Sequence, residues 1–495
     1  MSKVESAKGY YEKSDEKKVY TDLCFQRTLS FRQAATWVFV HYLTIGLIQG
    51  YFTSVQFNLQ SEGANMRDQS TLTLALYPYS FKFLISPILD RFYFFKVGRS
   101  KTYILFGGAV IGSAFLFLGP TVGTFVTERK VVPLTLLFAL INCLVCVVQI
   151  AGESWILTMF SKEEKTKAST FLSIGQSLGV LLGYNVFTPL NDVAWLNDNI
   201  FPNSPRTTPL VSHSMLCYFI SILYFSQITI NLLFIAEEKI LDKNAKKILK
   251  ILSIVPRHVT NSHMRKFIMY IFACRFIYYQ IDFSLDLKLV KNGYLNLSRS
   301  TVSNIDTVTY PIVFCLSFCT IYFLKKGQLI RMFHLNMFVV VLTGTFRFLN
   351  YLELTQNRSE RLVLIARVFS GILTGMDFTT FFLMSFFNTI VNKAFGNTGI
   401  TCLIALMNMT GSVSRSVGLY MISHIKYELY VPICLVAEFI VLILLFPYAF
   451  VLDSKESKLF DLSEPEKTQN TPLDDKDPAA VTVIGDETSR ITAKN

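Results

Sequence analysis

Residues 237–266 read EEKILDKNAKKILKILSIVPRHVTNSHMRK, crowding Lys239, Lys243, Lys246, Lys247, Lys250, Arg257, Arg265 and Lys266 into a segment with no membrane-length apolar run. It is the longest polar break inside the chain, and apolar runs flank it on both sides. Before it lie 36–58, 72–90, 103–126, 132–156, 168–190 and 214–235. After it lie 267–290, 302–324, 333–351, 363–386, 398–422 and 429–452. Each approaches the roughly 20 residues that a helix needs to cross a bilayer. The break thus separates a six-helix half, 34–236, from a second, 267–452, with polar tails at 1–33 and 453–495.

Composition agrees. Of 495 residues, 51% are hydrophobic and 17% charged, against about 25% charged in soluble domains. Phe alone occurs 44 times, more aromatic area than a soluble surface could hide. A soluble enzyme, a secreted disulfide scaffold and a disordered regulator are excluded, leaving an all-α polytopic membrane protein with twelve transmembrane helices. No segment matches a removable signal peptide. The net charge of +12 has no basic stripe interleaved with aromatics, so nucleic acid is not an expected partner; the lipid bilayer is. Cys143 and Cys146 form a C-x-x-C without a second pair, so no metal site or cofactor is expected.

Loops on the side of the 237–266 break carry about twice as many Lys and Arg as the opposite loops, which places that side and both termini in the cytosol. The sequons at Asn296 and Asn357 then face the lumen. Two six-helix halves joined by a cytosolic linker are the organisation of a major facilitator transporter, whose halves rock about a midplane site. Between the second and third runs, Asp90, Arg91, Arg99 and Lys101 could form a charge latch that holds one conformation; a solvated loop is the plainer reading.

Several blocks resemble the acetyl-CoA transporter family. They are Leu59-Gln60-Ser61, Asp68-Gln69, Tyr77-Pro78-Tyr79-Ser80-Phe81-Lys82-Phe83-Leu84, Pro87, Asp90 and Gly98-Arg99. Further on come Gly152-Glu153-Ser154-Trp155-Ile156-Leu157-Thr158-Met159, Ala168-Ser169-Thr170, Gly175-Gln176 and Gly183. In the second half, Arg275, Asp282, Leu287-Lys288-Leu289-Val290 and Asn408 continue the pattern, and the resemblance extends over roughly residues 35–450. One departure stands out: where the family has paired acids, this chain has Gln149 and Glu153. Bacterial muropeptide permeases are more distantly similar around the second run.

Ionisable groups at membrane depth cost about 2.5–3.5 kcal/mol each on insertion scales and usually face a cavity. Lys82, Glu153, Arg275, Asp282, Asp377 and Arg415 are such groups; Trp155, Gln176, Tyr278, Tyr279 and Asn408 accompany them as candidate substrate contacts. The competing reading is internal neutralisation, with Asp377 against Arg415 and Asp282 or Asp286 against Arg275 or Lys288. Arg347 and Arg367 are expected to snorkel to the interface. Gly175, Gly179 and Gly183 recur every four residues, the spacing of close helix packing. Excess cations suit an organic anion, since guanidinium grips phosphate bidentately.

The resemblance implies more: acetyl-CoA as substrate, carried from cytosol into the endoplasmic reticulum, with CoA as the returning partner. The plasma membrane is the alternative location. Two other functions stay open. One is a proton-coupled permease for a muropeptide-like or nucleotide-like solute, with Glu153, Asp282 or Asp377 carrying the proton. The other is a membrane-embedded acyltransferase, which would need a catalytic His or acid at membrane depth; His41 and His334 lie in apolar runs, neither with an evident partner in sequence.

Overall fold

The computed structural model describes residues 29–91, 97–160, 164–235, 262–288, 328–357 and 396–454, with a few isolated positions besides. The runs 302–324 and 363–386, the linker up to residue 261, Asn296, Arg367, Asp377 and most of both tails lie outside the described residues. Every regular element among the described residues is a helix.

The first half begins with α1 (Phe31–Ser61), entered through Ser30, whose backbone N–H donates to Gln33 Oε1 at 3.1 Å. The second run is a chain of short pieces: α2 (Met66–Thr73), a 3₁₀ turn at Leu74–Leu76, α3 (Tyr77–Ser80) and α4 (Lys82–Arg91). Then follow α5 (Arg99–Thr127), α6 (Val131–Met159) and α7 (Glu164–Val180). A π-helical stretch, Leu181–Val186, leads from α7 into α8 (Phe187–Leu190) and the short α9 (Val193–Asn199). The half closes with α10 (His213–Phe234).

The second half contributes α11 (Ser262–Leu287), α12 (Leu329–Asn357), α13 (Gly396–His424) and α14 (Tyr427–Ser454). Among the described residues, α1, α5, α10 and the bodies of α6, α12 and α14 are long and apolar enough to cross a membrane.

Two of the expected runs are therefore not simple helices. In the second, Pro78 supplies no backbone N–H, and the chain tightens to a 3₁₀ turn just before it. The carbonyl of Ala75 is taken instead by the Asn142 side chain of α6 at 2.8 Å. In the fifth, the π-helical turn inserts extra backbone, a feature often found at functional sites.

The glycine spacing in α7 does what it implied. A Cβ placed on Gly179 would run into the carbonyl oxygen of Leu43 on α1. The second half repeats the device, with Gly418 of α13 set against the Gln280 carbonyl of α11. With little hydrophobic drive in lipid, such backbone-to-backbone contact is what holds these helices together.

Each half has its own core, one around Tyr42, Tyr51 and Phe138, the other around Phe267, Phe333 and Tyr351. The halves meet at the end bearing the 61–66 and 191–212 loops. There Arg299 donates to Ser61 Oγ at 3.2 Å and to the Asn191 carbonyl at 3.2 Å. Ser300 donates to Asp192 at 2.6 Å, and Asn185, in the π-helical turn, donates to the Ser303 carbonyl at 2.8 Å. Phe57 and Phe283 pack edge to face across the same seam, with centroids 6.1 Å apart.

Candidate functional site

The broken second run aims Lys82 into the first half. Its ammonium, 2% exposed, pairs with Glu153 of α6 at 2.7 Å, and Glu153 itself is only partly buried. So Lys82 and Glu153 come together, and the lysine is neutralised rather than left as a bare cation. One turn away, an amide–phenol network runs between helices. Gln176 of α7 donates to Gln49 of α1 at 2.9 Å, Gln49 donates to the Tyr79 hydroxyl at 3.4 Å, and Tyr79 donates to Asn142 at 3.4 Å. Across the seam, Asn408 of α13 reaches the Tyr79 carbonyl at 3.5 Å.

In the second half, Arg275 sits near the middle of α11 and is 5% exposed. One terminal nitrogen donates to the Tyr279 hydroxyl at 2.7 Å, and the guanidinium carbon lies 4.6 Å from the Tyr279 ring centre. The other two nitrogens, Nε and Nη1, are buried with no hydrogen-bond partner. Leaving a buried donor unmet costs about 1–3 kcal/mol, more for a charged one. Arg415 of α13 lies over the Phe283 ring at 4.6 Å, and among the described residues no carboxylate bonds it. The expected partner, Asp377, falls outside those residues.

Asp282 is engaged elsewhere. Arg347 of α12 bridges Asp282 at 2.8 Å and Asp286 at 2.7 Å, and Tyr278 donates to Asp282 at 3.2 Å. This corrects two expectations. Arg347 does not snorkel: at 9% exposure it is buried, because α12 runs on to Asn357 and leaves it some 15 Å short of the helix end. Nor do Asp282 and Asp286 serve to neutralise Arg275; they hold Arg347.

The aromatic candidates separate. Trp155, 2% exposed, packs edge to face on Trp37 at 4.7 Å, and Tyr278, 3% exposed, belongs to the core of the second half. Both are among the candidate substrate contacts read from the sequence, and both are core side chains here; Tyr279 remains half-buried beside Arg275. In the expected latch, Arg99 donates to Ser154 at 2.5 Å and Lys101 to the Ile235 carbonyl at 2.8 Å. The side chains of Asp90 and Arg91 lie outside the described residues. His334 is a structural histidine, with Nδ1 2.6 Å from the Tyr270 hydroxyl and Nε2 2.8 Å from the Leu442 carbonyl. His41 is stacked on Trp37 in the core. Among the described residues, neither is hydrogen-bonded to a carboxylate as a catalytic base would be.

Residues 36–274 match the family model described as Acetyl-coenzyme A transporter 1. This stretch is similar to the acetyl-CoA transporter family. Lys82, Glu153, Trp155 and Gln176 fall inside the family match, which ends one residue before Arg275. An uncharacterized membrane protein of Saccharomyces cerevisiae is 29% identical over 218 residues, 40% of this chain and 39% of that protein. An uncharacterized protein of Schizosaccharomyces pombe is 31% identical over 144 residues, 29% of this chain and 27% of that protein. The chain therefore spans well under half the length of these relatives. A variant of the nucleoside transporter NupG superposes with a TM-score of 0.58 at 12% identity, covering 86% of this chain and 100% of that one. The inward-open xylose transporter XylE from E. coli gives 0.53 at 12% identity, covering 83% and 95%. At that identity the likeness concerns fold, and the fold is that of a major facilitator transporter.

Proposed function

We propose that this membrane transporter carries acetyl-CoA from the cytosol into the lumen of the endoplasmic reticulum, with CoA returning in exchange. One observation carries the anion reading: a mid-membrane guanidinium, Arg275, keeps two buried nitrogens unpartnered while Tyr279 holds the third. Nε and Nη1 lie on different edges of the guanidinium, with Nη2 between them, so each is a separate charged donor open to an anionic oxygen. Arg415, also without a carboxylate among the described residues, supplies a second cation. The Tyr279 contact holds the guanidinium of Arg275 in place, so an anion is met by preset charged donors. The family match over residues 36–274 supports acetyl-CoA as the substrate, and the resemblance read in the sequence supports the compartment and the exchange.

In this reading the halves rock about the midplane, and the seam from Arg299 and Asn185 to Ser61, Asn191 and Ser303 must open once in each cycle. Glu153 keeps Lys82 neutral until the anion arrives, so the empty site carries less repulsion between cations. The test is uptake of acetyl-CoA labelled in both acetyl and CoA portions into proteoliposomes, with and without CoA inside. Intact label accumulating faster against preloaded CoA supports the proposal. Label transferred to an acceptor supports an acyltransferase, and no uptake of either kind refutes the CoA ester as substrate.

A further inference from the structure

Among the described residues, the carboxylates placed inside the transmembrane helices, partly or fully buried, are matched to cations with one exception. Glu153 has Lys82, and Asp282 and Asp286 share Arg347. Glu438 has none. It sits near the middle of α14, is 0% exposed, and both of its oxygens are buried without a hydrogen-bond partner. An ionised carboxylate in that position would be strongly unfavourable, whereas a neutral acid would not.

Among the described residues, the surroundings offer it no charge. From α11 it is faced by the Cys274 thiol and the Tyr278 backbone, while Arg275, one residue on, turns its guanidinium to Tyr279. On α12, the titratable His334 is bound to Tyr270 and to the Leu442 carbonyl, one turn along α14 from Glu438. Arg347, on the same helix, is held by the two aspartates. On α14 itself, Cys434 lies one turn away and Tyr430 donates to Gln280. The charges at the ends of α14 are committed: Glu428 accepts from Tyr351 at 3.1 Å, and Asp453 pairs with Arg331 at 2.9 Å.

We propose that Glu438 is a proton-binding site of this carrier, holding a proton in the conformation seen here and releasing it when the second half rearranges. The ligand is the proton, taken from water by the carboxylate and returned to water. Ionisation inside this core is penalised, so protonation favours the present packing of α14 on α11 and α12. A rearrangement that hydrates the carboxyl favours release. The two conformations then differ in proton affinity, and by linkage pH shifts their balance. Glu438 adjoins Tyr278, whose hydroxyl holds Asp282, and this ties the proton site to the charged cluster below Arg275.

The inference rests on the transporter reading but not on the identity of the substrate, and its test separates the two. The full-length protein in proteoliposomes is examined by infrared difference spectroscopy across a pH titration. The expected result is a carboxylic C=O band that persists at neutral pH, disappears on alkalinisation, and is absent from Glu438→Gln. Gln is the neutral isostere and should fold. If it does not, Glu438→Met, which suits the apolar surroundings, serves the same comparison. In uptake, wild type is expected to vary with pH through this group and Glu438→Gln to lose that variation. A band unchanged by either substitution, or a pH profile of Glu438→Gln equal to wild type, overturns the proposal. If wild type takes up no acetyl-CoA, the proposed function fails, and the infrared band still decides the proton site.

Discussion

Replacing Glu153 by Gln would remove the counter-charge of Lys82 while keeping an oxygen in reach of its ammonium. At 2.7 Å and an effective dielectric near 20, the pair's attraction is at most about 6 kcal/mol. Breaking a buried pair by deleting one member costs about 3–5 kcal/mol, because the remaining charge stays desolvated. Lys82 is 2% exposed and cannot turn to water, but Glu153 is 27% exposed, so some solvent reaches the pair. The retained hydrogen bond lowers the cost further, to about 3 kcal/mol, roughly a hundredfold in the folding equilibrium. Denaturant unfolding of the purified protein in micelles would measure it. The double variant Lys82→Met with Glu153→Gln should recover at least half of the loss, since no charge is then stranded. A single variant within about 0.5 kcal/mol of wild type, or a double variant showing the plain sum of the two losses, would refute the reasoning.

Gly179→Leu should abolish folding, because the side chain would enter the backbone of α1 at Leu43; a well-expressed, thermally normal variant would contradict this. Arg347→Gln should destabilise the protein by about 3 kcal/mol or more, by leaving Asp282 and Asp286 side by side without a cation. Thermal unfolding checks it, and Asp286→Asn added to Arg347→Gln should restore part of the loss. Asn185→Cys with Ser303→Cys should cross-link the halves under oxidation and stop transport until a reductant is added. Full transport by the cross-linked protein would show that this seam does not open.

Much of the architecture was legible because membrane spans are defined by length and hydropathy, which are local. The helical character of the described runs and the packing role of Gly175, Gly179 and Gly183 follow from composition or spacing. What local reading missed depends on partners distant in sequence. Arg347 looked interfacial because its apolar run ends early, yet α12 continues and brings it to Asp282 and Asp286 on α11. The break before Lys82 was signalled by Pro78, but its direction toward Glu153 was not. Gln49, Tyr79 and Asn142 were visible as polar groups inside apolar runs, and only folding links them to Gln176. Glu438, a lone acid between Ala437 and Phe439, carries the same signal, and only the fold shows that it is fully buried.

The central claim is that Arg275 grips a phosphate of the substrate, and Arg275→Ala measured against two ligands tests it most directly. Uptake of labelled acetyl-CoA and of its 3′-dephospho analogue would be compared for wild type and variant in the same proteoliposomes, with protein quantity and stability matched. The account predicts that wild type carries acetyl-CoA better than the analogue, and that Arg275→Ala loses most of its acetyl-CoA uptake while the analogue suffers less. If Arg275→Ala lowers uptake of both ligands equally, or lowers neither, the guanidinium is part of the scaffold and the account is wrong.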